Sequence, residues 1–312
     1  MDFSIVVPLY NKAPHVADAI NSIFSQSLAP REIIVVDDGS TDGGDDIVRA
    51  IEDPRLILLS RSPPGPGGYA ARNHGIRHAS GEWIAFLDAD DRWHESHLSD
   101  LAAAVERCAE PVGCAFSRFE IKQSGRDRPH PVDESVLVPG KALDLATILK
   151  AWIAQKACPL WTGATAFRRQ VLIDAGLFPE GRTRRGGDKD MWLRAVAHAR
   201  TAYAPQISAE FHQETVNRMS LSTAHTQLPI LVETIATLLE TATDEERKLL
   251  RMLSNQEVRH YARYATGARA KSGTDFLRSI YLPEGGVDFT WVAAYMAAQR
   301  LLPKRRQAAK PR

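Results

Sequence analysis

Over the first 90 or so positions, short apolar runs alternate with stretches spaced for helices. Ser4–Leu9, Ile33–Val36, Leu56–Leu59 and Trp83–Leu87 are too short for helices and read as buried strands. Pro8 marks the end of the first. Between them, His15–Ser27 carries Val16, Ala19, Ile20, Ile23 and Phe24 at helical spacing. Asp42–Ile51 predicts a second helix with Ser40 or Thr41 as its N-cap. Tyr69–Ala79 predicts a third, ended by Ser80-Gly81. The intervening Ser62-Pro63-Pro64-Gly65-Pro66-Gly67-Gly68 excludes regular structure. This alternation predicts an α/β protein, with a mostly parallel sheet flanked by helices.

The polar residues then fall where such sheets bind ligands, beyond the carboxyl ends of strands. Asp37-Asp38 follows the second strand, and Asp88, Asp90 and Asp91 follow the fourth. Carboxylates crowded at a sheet edge repel one another unless a cation sits among them. A hard divalent ion with oxygen ligands is one answer, and a solvated turn is the other. The first strand is followed by Pro-Leu-Tyr-Asn-Lys-Ala instead of Gly-x-Gly-x-x-Gly, which disfavours nicotinamide and flavin cofactors. The Gly65–Gly68 stretch lacks a Walker ending.

Composition narrows the picture further. At 312 residues the chain has room for one large domain or two smaller ones. A formal charge of +1 gives no global field for nucleic acid. Cys108, Cys114 and Cys158 are too few for a disulfide framework and fit a reducing compartment. There is neither a basic n-region at the start nor an apolar run of about 20 residues, so the expected location is cytoplasmic.

Five ordered blocks carry a family resemblance: Ile-Val-Val-Pro-Leu-Tyr-Asn-Lys, Ser-Ile-Phe-Ser-Gln-Ser, Ile-Ile-Val-Val-Asp-Asp-Gly-Ser-Thr-Asp, Ala-Arg-Asn-His-Gly and Phe-Leu-Asp-Ala-Asp-Asp. Together they resemble the family 2 inverting glycosyltransferases of GT-A fold, strongly over residues 3 to about 100 and more weakly to about 222. The resemblance implies a catalytic domain at 1–222, with a nucleotide-binding half (1–100) and an acceptor and catalytic-base half (101–222). A helical region at 223–312 matches nothing in the family pattern.

The resemblance also implies roles. Pro8, Leu9 and Tyr10 would wall the nucleotide base, and Asp38 would accept from the imide N–H of uracil or thymine. Asp37 is expected to cap loop amides instead. Asn73, beside Arg72, would stand near the donor loop in either a framework or a contact role. Asp88 would lie by the ribose, and Asp90 would hold Mn²⁺ or Mg²⁺ with His212 as a further ligand. Asp91 is expected to cap the next helix. Thr162 and Gly163 would line the donor-sugar pocket, while Trp161 is expected at its core or rim. Asp188 matches the catalytic base of the block Glu-Asp-x-x-Leu-x-x-Arg, and the same residue reads as a helix N-cap. Asp190 is the alternative base. Gly187 departs from the pattern, which has Glu there. Arg182, Arg184 and Arg185 form a basic loop, either solvated or phosphate-binding.

Further elements are expected at Glu95–Cys108 (helix), Val112–Ile121 (strand), Leu143–Ala154 (helix), Leu228–Leu239 (helix), from a capping box at Thr243 toward Ala270 (helix) and at Phe289–Leu302 (helix). Ser124–Val138 reads as a surface loop. The basic tail Lys304-Arg305-Arg306 would either meet an anionic membrane face from the cytoplasmic side or follow a docked helix.

The implied activity is transfer of a hexose from a UDP- or dTDP-sugar to a glycan or lipid-linked acceptor, with inversion, in cell-surface polysaccharide synthesis. Two other readings stand beside it. One is a sugar nucleotidyltransferase, which would want a Gly-rich basic loop after the first strand. The other is a nucleotide-sugar-binding scaffold without catalysis, for which Gly187 is the argument.

Overall fold

The structure, a computed structural model, describes residues 1–61, 63, 68–183, 185–215, 228–264 and 273–301. Arg184, most of the Gly-rich loop, the expected domain boundary at 222 and the tail from Lys304 lie outside the described residues. The chain divides into two compact units, Met1–Ser220 and Leu221–Arg312.

In the first unit, β1 (Phe3–Leu9), β2 (Glu32–Asp37), β3 (Leu56–Ser60) and β4 (Trp83–Phe86) are all parallel, in the order β3-β2-β1-β4. Their crossovers contain α1 (Ala13–Phe24), α2 (Gly44–Arg49) and α3 (Gly68–His78). Alternation along β1 sends its side chains two ways. Ile5, Val7 and Leu9 share a core with Val16, Ile20 and Ile23 of α1. Val6 meets α3 where Gly75 allows close approach; a Cβ there would lie 2.5 Å from Val6 Cγ1.

Beyond β4 the sheet becomes mixed. It continues through β8 (Thr165–Arg168), β6 (Cys114–Lys122), β9 (Thr201–His212) and β5 (Arg92–Trp93), with β7 (Arg128–Pro129) beside β6. β8 is antiparallel to both neighbours, and β6 and β9 are parallel to each other. Around these strands stand α4 (His97–Glu106), α5 (Leu145–Gln155), α6 (Arg169–Asp174) and α7 (Gly187–His198).

Two expected caps are corrected. The N-cap of α2 is Gly43, not Ser40 or Thr41. Asp42 instead accepts from Gly44 N–H at 3.0 Å and from Ala13 N–H, at the start of α1, at 2.8 Å. Asp91 does not cap α4, whose N-cap is Ser96. It is only 2% exposed and accepts from the backbone N–H of His212 at 2.8 Å.

The second unit is helical: α8 (Ile230–Leu238), α9 (Asp244–Tyr264), α10 (Gly273–Arg278) and α11 (Leu282–Leu301), the last interrupted at Gly285. Its core holds Val258, Tyr261, Phe276, Ile280 and Val292. The capping box opens α9 as expected, with Thr243 N–H on Glu246 at 2.9 Å and Glu246 N–H on Thr243 Oγ1 at 3.3 Å. Among the described residues, no helix is long and apolar enough to cross a membrane.

One buried histidine makes the fold pH-sensitive. His97 is fully buried, stacked on Trp93 at 4.4 Å, with Nδ1 at 3.0 Å from Ser208 Oγ. Burial holds its imidazole down to about 3, from the ordinary 6.5. Below 6.5 the unfolded chain therefore binds a proton that the folded chain refuses, and stability falls as pH drops through that window. Urea midpoints measured between about pH 7 and pH 5, above most carboxylate titrations, should fall with pH. A His97→Gln variant should reduce that slope, and His130, which burial also holds down to about 4, should supply part of what remains; an equal slope would mean that other groups set it.

Candidate functional site

The carboxyl ends of β1, β2 and β4 open on one side, at the point where the strand order turns from β1 toward β4. Tyr10 is 52% exposed just past β1. The Leu9 side chain is fully buried, and its carbonyl accepts from Asp38 N–H at 2.9 Å, so Leu9 supports this wall from beneath. Asp37 accepts from Gly39 and Ser40 N–H, the loop-capping role expected of it. Asp38 is 4% exposed and ion-paired with Arg61 at 2.5 Å, and Arg61 also lies 3.5 Å from Glu180. Arg61 is a partner that the sequence reading missed. The β2–β3 register, which sets Asp37 beside Ser60, brings it in.

Past β4 stand two ion-pair systems. In one, Asp90 receives Lys12 Nζ at 2.5 Å and Thr215 Oγ1 at 2.5 Å. In the other, Arg72 is buried between two acids, hydrogen-bonded through Nη2 to Asp88 and with Nη1 3.5 Å from Asp188. Desolvation works against the Arg72 charge, but Asp88 and Asp188 outweigh it and hold the guanidinium above its ordinary range. The Asp91 carboxyl is pushed well up by burial and by Asp90 and Asp88 beside it. The donor set here is hard carboxylate oxygen with excess negative charge. It fits a hard divalent cation, and Lys12 and Arg72 supply the balancing charge from within the chain.

Asp188 reaches this centre from α7, where it is the second residue, since the N-cap is Gly186. The expectation that Asp188 itself caps the helix is thus corrected by two residues, although a first-turn acid still suits the helix dipole. Thr162 Oγ1 donates to Asp188 at 3.4 Å. A third of the Asp188 side chain is open to solvent. Burial of the rest pushes its carboxyl above the ordinary 3.8; Asp88 adds to this, while Arg72 opposes it. Asp190 drops out as alternative base, being 1% exposed and ion-paired with Arg194 at 2.6 Å.

The other expected site residues lie around this centre and along β9. Asn73 is 2% exposed, and both ends of its amide clamp the Phe178 backbone, at 2.9 and 3.0 Å. These contacts are those of a framework role, one of the two expected of it. Gly163 is buried under Trp161, where a Cβ would lie 2.4 Å from the ring, and its carbonyl accepts from Trp93 Nε1 at 2.6 Å. Trp161 packs on Phe119 and Phe211, the core-and-rim role expected of it. The His212 ring, expected on a metal with Asp90, lies with Nε2 2.9 Å from Glu210 Oε2. Alternation along β9 turns it toward Glu210, Lys122 and Asp127, which line a cavity of about 450 Å³. Nearby, ligand atoms of His94, Glu120 and Glu210 lie within 4.8 Å of one another, but Lys122 Nζ already balances them, 2.9 Å from Glu120. In the basic loop, Arg182 lines a second cavity of about 350 Å³ with Arg77, Arg194 and Glu180.

The family model described as "Glycosyl transferase family 2" matches residues 4–176. WfaP of Escherichia coli, a UDP-Glc:alpha-D-GlcNAc-diphosphoundecaprenol beta-1,3-glucosyltransferase, is 34% identical over 120 residues, 38% of this chain and 47% of that protein. The chain spans about half the length of the curated relatives it matches. Among solved structures, S. aureus TarS 1-349 with UDP-GlcNAc aligns at TM-score 0.77 and 18% identity, covering 96% of this chain and 89% of that one. Mannosyltransferase PcManGT from Pyrobaculum calidifontis, in complex with GDP-Man and Mn2+, aligns at TM-score 0.56 and 24% identity, covering 96% and 86%. At these identities the structural likeness speaks for the fold alone.

Proposed function

Because the chain belongs to glycosyl transferase family 2, we propose that it moves a hexose from a UDP- or dTDP-sugar to an acceptor hydroxyl, with inversion. The observation that carries this reading is Asp188. Its carboxylate is partly open, held by Thr162 and linked through Arg72 to Asp88, just past β4. Asp188 takes the proton of the acceptor hydroxyl as that oxygen attacks the anomeric carbon. The anomeric bond to the diphosphate breaks on the opposite side, and the nucleoside diphosphate leaves. Tyr10 and the Asp38–Arg61 pair flank the base, and the Asp38 carboxylate matches an imide N–H. Asp90 would hold Mn²⁺ or Mg²⁺ with Asp88 beside it. When bound, the ion would supply neutralising charge for the leaving diphosphate. A glycan or lipid-linked saccharide is the acceptor class, in line with the lipid-linked acceptor in the name of WfaP.

A nucleotidyltransferase would need a basic phosphate loop after β1. The loop offers Lys12, which is engaged by Asp90. The test is a panel of nucleoside diphosphates with Mn²⁺. UDP at 100 times its dissociation constant should add about 2.7 kcal/mol to stability. Asp90→Asn should remove the increment that Mn²⁺ brings and leave that of UDP alone. UDP-sugar with Mn²⁺ should slowly release UDP. Release of pyrophosphate from nucleoside triphosphate and sugar phosphate, or no response to any nucleotide, would sink the transferase reading.

A further inference from the structure

Gly187 stands where the family pattern has glutamate, directly before the residue read above as the base. The structure gives a physical reason for the glycine. A Cβ at position 187 would lie 2.7 Å from Tyr69 Cζ and 2.7 Å from Pro179 Cγ. The space a side chain would use is filled by the Tyr69 ring, which is 8% exposed and stacked parallel to Phe178 with centroids 6.0 Å apart. The Tyr69 hydroxyl also accepts from Gly187 N–H at 2.9 Å. That N–H is the first of α7, one of the four donors that a helix leaves without an internal partner. Tyr69 itself opens α3 just after the Gly-rich loop, three residues before Arg72, which pairs with Asp188. One turn of α3 thus fixes both the backbone beside Asp188 and the cation facing its carboxylate.

We infer that Tyr69 is a positioning residue for Asp188: its hydroxyl pins the first turn of α7, and its ring takes the place of the missing side chain at 187. The inference deepens the transferase reading and rests on Asp188 being the base. It also answers the structural part of the argument for a catalytically inert scaffold, because a different residue holds the start of α7. Pinning acts on the proton-transfer geometry, where a small misplacement costs rate. It leaves the donor contacts at β1 and β2 untouched.

Tyr69→Phe is the test, since it keeps the ring and removes the acceptor of the Gly187 N–H. Turnover should fall about tenfold while the donor KM stays within about twofold, since orientation is lost and binding is not. The freed helix start admits water, which relieves the desolvation that raises Asp188. The acid limb of the kcat profile should therefore move to lower pH. A merely structural role would lower the melting temperature and the active fraction but leave that limb in place. Gly187→Ala, which pushes on the same ring, should lower turnover in the same way. Unchanged kcat and an unmoved acid limb in Tyr69→Phe would overturn the inference. So would a donor KM raised tenfold at constant kcat, which would put Tyr69 on the donor. Asp188→Asn in the same assay separates the two layers. If Asp188→Asn keeps near wild-type turnover, the base assignment has failed. If Asp188→Asn is inactive and Tyr69→Phe is normal, only the positioning role has.

Discussion

Asp188→Asn should fold, bind UDP-sugar and transfer roughly 10²–10⁴ times more slowly than the parent, the usual worth of a general base. Asparagine keeps the size of the side chain and an acceptor for Thr162, but it has no site for the acceptor's proton. Asp188 is the second residue of α7, not its cap, so the loss of negative charge should cost only the fraction of a kcal/mol, about 0.3–1, that a first-turn acid gains from the helix dipole. In the parent, the carboxyl is raised above 3.8 and must be ionised to act. Turnover should therefore rise with pH through an acid limb lying above that value and vanish below it. A variant that folds, binds donor and transfers at the parental rate would remove Asp188 from the chemistry. Asp190 would not replace it, because that carboxylate is sealed against Arg194.

Arg72→Gln is expected to move the same limb the other way. Without the guanidinium, Asp88 and Asp188 face each other with no cation between them, and each disfavours the ionised form of the other. The Asp188 carboxyl then rises further, and the acid limb moves to higher pH. At any fixed pH below the limb, turnover should drop about tenfold for every whole step in pH that the limb has moved. Breaking a fully buried ion pair costs about 3–5 kcal/mol. The two acids here are about a third open to water, so about 1–3 kcal/mol of stability is the expected loss. Opposite displacements of the limb in Arg72→Gln and Tyr69→Phe would separate charge from position at one carboxylate. A limb that stays put in Arg72→Gln would mean that water already screens Asp188 from the guanidinium.

The parallel half of the sheet and its acids were legible in the sequence because β1, β2 and β4 are short apolar runs, and β2 and β4 give way abruptly to carboxylates. What was not legible is pairing over distance. Asp91 was expected on the helix next to it, yet its partner is a backbone N–H 121 residues on. The Tyr69–Gly187 contact spans 118 residues. Its trace in the sequence is a missing side chain at one block and a large aromatic at the head of another. Arg61 sits one residue past an apolar strand, where only the β2–β3 register shows that it meets Asp38. The direction of β8 could not be read at all, since a buried run looks the same in either orientation. For Asn73 the family block left a framework and a contact role open, and only the fold shows that both amide atoms are tied to Phe178.

The strand order also has a consequence for synthesis. β1 to β4 need nothing beyond Phe86 to pair with one another. The other side of β4 is closed by β8, which begins at Thr165. A growing chain emerges N-terminus first. It therefore presents β4, wholly buried in the finished protein, as an open apolar edge with unpaired N–H and C=O groups until β8 emerges. Such an edge is a template for another chain. Fragments of this protein cut between the two strands would carry it permanently, and would clump where the full chain does not.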